Sequence, residues 1–147
     1  MKSAYESYQE GSRLLASENP HEAVVCLEQA RDLEPDKGSV RETLARAYFR
    51  TGRFAASRDE FERALEIDPV NDYAHYGVGL CRLRAGDRTG ARAHLRLATV
   101  MRPDNPDYLN ALADAEGDSA ATEGERSVEP TNASEGDSAA TGEDDES

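Results

Sequence analysis

The chain has 147 residues, of which 37% are hydrophobic, a share below that of a typical globular domain, so part of the chain is expected to bury nothing. The net charge is −13, yet 11 of the 30 acids and only one base, Arg126, fall between Glu116 and Ser147, while the first 115 residues hold 19 acids and 16 bases. That distribution disfavours a salt-adapted folded surface, and net negative charge, which repels phosphate, excludes nucleic acid as the default partner.

Cys26 and Cys81 lie far apart with no metal-type spacing and read as small buried hydrophobes in a reducing compartment. The opening stretch "MKSAYESYQEG" lacks an apolar core of the length a secretory signal needs, and no segment approaches a membrane span. A cytoplasmic protein is expected. Arg outnumbers Lys 15 to 2, which through codon use points to a GC-rich bacterial genome.

In chain order, a helical stretch from Ala4 runs to the break "SENP" at 17–20. There Asn19 as cap, Pro20 in the first turn and Glu22 as a capping acid predict the next helix start. That second stretch ends in "EQARDLEP", 28–35. A third begins at Gly38 and breaks at "TGRF", 51–54, and a fourth ends in "ERALEIDP", 62–69. Asn71 before Asp72 starts a fifth, which breaks at "AGDR", 85–88. Asp87 caps the sixth, which ends in "RLATVMRP", 96–103, and Asn105 before Pro106 starts a last short helix. Gly52 and Gly86 allow the left-handed backbone that closes one helix and turns into the next, while each terminal proline lacks an N–H and stops its helix.

The same ending thus recurs every 34 residues. With units starting at Ala4, Gly38 and Asp72, the eighth position is small (Gly11, Ala45, Gly79), as are the twentieth (Ala23, Ser57, Ala91) and the twenty-seventh (Ala30, Ala64, Ala98). The thirty-second is Pro35, Pro69 and Pro103, and Leu27, Phe61 and Leu95 keep one bulky slot. A periodic pattern of this kind marks a stack of supersecondary units that share a continuous core.

The pattern resembles the tetratricopeptide repeat (TPR) family, most closely in "GSVRETLARAYFRTGRFAASRDEFERALEIDPVN", where Leu44, Ala45, Tyr48, Gly52, Phe54, Phe61, Ala64 and Pro69 are in register. The resemblance covers residues 4–105 and implies an all-α fold, a right-handed superhelical α-solenoid of helix-turn-helix repeats at 4–37, 38–71 and 72–105, with 106–115 as the closing solvating helix. Departures stand out. The aromatic usual in the fourth slot is replaced by Ser7, Arg41 and His75, Glu10 stands in place of a leucine, and Arg82 in place of a packed tyrosine. Arg82 is expected to lay its stem across the neighbouring helix. The tail, 116–147, repeats "EGDSAAT" at 116–122 and 135–141, and its charge and low hydrophobicity predict disorder.

In this family the first helix of each unit lines the concave groove. Helical spacing places Tyr5, Tyr8, Ser12 and Leu15 there, then Ser39, Glu42, Arg46, Phe49 and Arg50, then Tyr73, Tyr76, Leu80, Leu83 and Arg84. Four of six tyrosines fall on this face, and at least two are expected to stay exposed. The competing reading is that they pack between units. Arg46, Arg50 and Arg84 are able to grip carboxylates. The family's clamp for chaperone tails uses lysine, asparagine and arginine. The matching positions hold Tyr8, Ser12, Arg46, Tyr76 and Leu80, so that clamp is absent. His21, His75 and His94 form no HExxH, and no phosphate loop or CxxC occurs.

The expectation is therefore a non-enzymatic interaction module, without cofactor or metal, that binds a peptide segment of a partner protein in its groove. The alternatives are a self-associating structural protein, or a small-ligand or catalytic protein with an unrecognised site. No nucleic-acid or membrane partner is expected, and the acidic tail is read first as a solubilising brush, the alternative being a weak, salt-sensitive contact with the groove arginines.

Overall fold

The structure, a computed structural model, describes residues 1–117. Seven helices follow one another in this span: α1 (Ala4–Ala16), α2 (Pro20–Leu33), α3 (Gly38–Arg50), α4 (Phe54–Ile67), α5 (Asp72–Arg84), α6 (Arg88–Met101) and α7 (Pro106–Ala115). They form three hairpins and a closing helix, with no strand among the described residues. The expected disorder of the acidic tail falls on 118–147, outside the described residues.

Local chemistry sets most of the boundaries. Asn71 accepts from the Ala74 N–H at 3.0 Å, Asp87 from Gly90 at 2.9 Å, and Asn105 from Asp107 and Tyr108 at 2.9 and 3.1 Å. Asn19 differs from the expected cap. Its side chain makes no cap bond and instead donates to the Ser17 carbonyl at 3.1 Å, so Pro20, with its fixed φ, marks the start of α2. Ser3 and Glu6, by contrast, form a full capping box at the head of α1.

Gly52 and Gly86 close α3 and α5 at φ +82° and +85°, and the equivalent residue after α1 is Glu18, at φ +66°. A Cβ there meets the backbone, at a cost on the order of 1 kcal/mol. Glu18→Gly is expected to raise stability by about 0.5–1 kcal/mol in denaturant unfolding, after loss of the exposed Arg50–Glu18 contact at 3.3 Å. Gly86→Ala should lower it by a similar amount.

The small slots let helices meet. A Cβ at Gly11 would stand 2.5 Å from Leu27 Cγ, and one at Gly79 2.5 Å from Leu95 Cγ, so only glycine admits those leucines. Leu15, Leu27, Leu44 and Tyr48 gather one buried cluster between the first two units, and Phe61, Tyr73, Tyr76, Leu95 and Tyr108 belong to a second that extends to α7. Arg82 fits as expected of a long stem. Its Cδ would lie 2.9 Å from a Cβ at Gly90, and its guanidinium reaches Asp87 at 2.9 Å and Glu62 at 3.5 Å. The Gly90 N–H and then Arg82 hold the Asp87 carboxyl below its ordinary range.

The fourth slots are occupied by polar side chains that are nonetheless buried. Arg41 donates to the Pro35 carbonyl at 3.0 Å and to Glu60 at 2.7 Å, and Glu60 also accepts from Arg31 at 2.8 Å. One carboxylate thereby ties α2, α3 and α4 together.

Candidate functional site on the inner face

Successive odd-numbered helices touch one another as well as their even-numbered neighbours, whereas the even-numbered helices pack chiefly on odd ones. A stack that is closer on one side bends towards that side, so α1, α3 and α5 line the concave face. The expected site residues divide there by burial. Tyr5 is 66% exposed and its hydroxyl accepts from Gln9 at 2.9 Å, while Tyr8 and Ser12 are half-buried. Arg46 is half-buried and makes no hydrogen bond or ion pair among the described residues. Arg84 is exposed and lies over two rings, 5.5 Å from the Phe49 centroid and 4.7 Å from that of Phe54. Ser39 is exposed and Leu83 half-buried, and with these the inner face has its accessible groups.

Others are engaged or interior. Arg50 donates to the Leu15 carbonyl at 3.1 Å and pairs with Glu18, which joins α3 to the end of α1. Glu42 accepts from the Asn71 side chain, and burial pushes its carboxyl up against the pull of that bond. Phe49 is buried against the edge of Phe54 with centroids 4.9 Å apart, and Leu80 is buried as well. Tyr73 meets Phe61 at 5.8 Å, and Tyr76, only 1% exposed, stacks on Tyr108 at 4.7 Å. Tyr76 is thus covered by the closing helix. Tyr108 is itself held by its hydroxyl, which donates to Asp72 at 2.7 Å, and Arg102 pairs with the same carboxylate at 3.3 Å.

The reading of one face at a time missed these partnerships. Their signal lies in comparing two slots at once. The fourth and twenty-third slots hold Arg41 with Glu60 in the second unit and His75 with His94 in the third, and both pairs are in contact. No group of three or more His, Cys, Asp or Glu that could hold a metal occurs among the described residues, and no described helix is long and apolar enough to cross a membrane. The expected contact between the acidic tail and the groove lies outside the described residues.

A family model described as tetratricopeptide repeat matches residues 8–72 and 42–106. The chain belongs to the tetratricopeptide repeat family. This TPR array is also 32% identical over 103 residues to the CTR9 homolog of Arabidopsis thaliana, although it spans only 9% of the length of that protein. Among solved structures, the first TPR domain of Spaghetti (RPAP3) bound to the HSP90 peptide SRMEEVD superposes with a TM-score of 0.76 at 20% identity, covering 80% of this chain and 94% of that one. The Aspergillus fumigatus Sgt2 TPR domain gives 0.73 at 19% identity, with 88% of each chain covered. YrrB, described as a TPR protein with an unusual peptide-binding site, gives 0.72 at 24% identity, covering 76% of this chain and 57% of that one. At such identities the likeness establishes the superhelical fold.

Proposed function

We propose that this TPR array is a protein-interaction module that takes a peptide segment of a partner on its inner face. The observation that carries this reading is the Arg46 guanidinium, half-buried between the first and third units and without a hydrogen-bonded or ion-pair partner among the described residues. A cation partly removed from water gains most from a charged acceptor supplied by a ligand. Tyr8 on α1 and Arg84, braced on Phe49 and Phe54, flank it with apolar area and a second fork. The array similar to this one in RPAP3 holds an acidic peptide, SRMEEVD, and the unpaired arginines fit a segment of that kind. Because the residues of the family clamp are missing, any carboxylate held here is gripped by arginine forks, with a geometry of their own.

The test replaces exposed or half-exposed groups only, since Tyr76 belongs to the core. Changing Tyr8, Arg46 and Arg84 together to Ala is expected to leave the helical content unchanged. It should weaken binding of a partner segment recovered by pull-down by about 2 kcal/mol or more, roughly 30-fold by titration. Undiminished binding by that variant, with loss on Arg63→Ala of the outer face, would move the site to α4.

A further inference from the structure

The third unit carries a pair of histidines where the second carries a salt bridge. His75 is buried in the fourth slot of α5, and His94 is half-buried in the twenty-third slot of α6. Their Nδ1 atoms are 3.0 Å apart and the ring centroids 5.2 Å apart. That separation is close to the largest a contact of this length permits, so the two nitrogens face each other nearly head-on. On its far side His75 Nε2 lies 3.0 Å from the Pro69 carbonyl, the counterpart of the bond from Arg41 to Pro35.

A carbonyl oxygen only accepts, so Nε2 of His75 carries a hydrogen. Neutral His75 then presents a bare Nδ1 to its partner, and His94 donates Nδ1–H to it. The pair thus requires two different tautomers. The first added proton enters at Nε2 of His94 and leaves the Nδ1–H···Nδ1 bond in place, now charge-assisted. A second proton has only Nδ1 of His75 left to occupy. Two N–H donors, both on cations, would then oppose each other at a distance that demands an acceptor. We propose that His75 and His94 form a proton-operated latch between α5 and α6, which holds one shared proton and is forced open by a second.

The surroundings favour that limit. Burial, then the His75 ring, then the Arg82 guanidinium press the protonated form of His94 down. The charge of Arg82 is answered by Glu62 from α4 and Asp87 from the α5–α6 turn. One turn before His75, Asp72 is tied to Arg102 at the end of α6 and to Tyr108 of α7. From α3, Glu42 is bound to Asn71 ahead of α5. Among the described residues, no carboxylate hydrogen-bonds to either ring.

In the unfolded chain both histidines titrate near pH 6.5. The folded pair binds fewer protons, so its contribution is present above that pH and is lost as pH falls. With one proton excluded, the unfolding constant rises by up to about tenfold per pH unit below roughly pH 6.

The experiment uses the full chain and two readouts. Imidazole nitrogen NMR at pH 8 is expected to show His94 protonated at Nδ1 and His75 at Nε2. On acidification the folded His75–His94 pair should take up one proton in a coupled step, with the doubly protonated pair arising only alongside unfolding. His94→Glu restores the carboxylate that the second unit has in this slot, and it should invert the pH response. The new carboxylate gives a protonated ring opposite it an ion-pair partner in the folded state alone, so stability is gained as pH falls from 8 to 6, with the unfolding constant dropping by about five- to tenfold. Identical tautomers with two independent titration steps in the folded protein would overturn the latch. So would an equal pH slope for wild type and His94→Glu over pH 8–6.

Discussion

Glu60→Ala is expected to destabilise the array by about 3–5 kcal/mol in chemical or thermal unfolding followed by helical signal. Glu60 is 7% exposed and accepts from Arg31 at 2.8 Å and from Arg41 at 2.7 Å. Its removal affects the two arginines unequally. Arg31 keeps a contact with Asp32 at 3.1 Å and a side chain 23% open to water. Among the described residues Arg41 keeps only the Pro35 carbonyl, and it is itself 7% exposed, so the loss comes chiefly from a buried charge left without its counter-ion. The double variant Arg41→Met with Glu60→Leu removes both buried charges and should recover most of the loss, because apolar groups of similar volume tolerate this site without desolvation cost. A loss below about 1 kcal/mol for Glu60→Ala would mean that water reaches the guanidinium and that the triad does not support the stack.

Ala64→Glu is expected to cost about 3 kcal/mol or more and to lower the melting temperature by on the order of 10 °C. Ala64 has no exposed surface and lies in the core cluster with Phe61 and Ala74. Its counterparts Ala30 and Ala98 are equally enclosed. A glutamate there must either force α4 outward or bury an unpaired carboxylate, and each route disrupts the middle unit on which both outer units stack. Scanning calorimetry of the variant decides the matter. A cooperative transition at the wild-type temperature would show that the helix face bearing Ala64 opens to solvent.

Gly52 and Gly86 were legible as left-handed closures because their conformational freedom is a property of the residue itself. Asn19 has the chemistry of a cap, yet its side chain turns back to Ser17, because a cap bond depends on the rotamer that the preceding turn permits. That turn is the one strained by Glu18. The fourth-slot substitutions were visible as departures, but their meaning was not. Arg41 and His75 differ from an aromatic only in chemistry, and what they do is decided by residues 19 positions further on, Glu60 and His94.

The sequence by itself determined the 34-residue period, the seven helices of 1–117, the small contact slots and hence the TPR superhelix. All of these follow from local backbone limits and from which face of each helix is apolar. Tertiary structure alone decided which inner-face residues meet solvent. Periodicity fixes the angle at which a side chain leaves its helix, not what comes to lie over it. Tyr8 and Tyr76 occupy the same slot in two units, each followed by a packed helix, yet Tyr8 stays half-open while Tyr76 is sealed by Tyr108, a ring for which the equivalent position of α3 has only Val40.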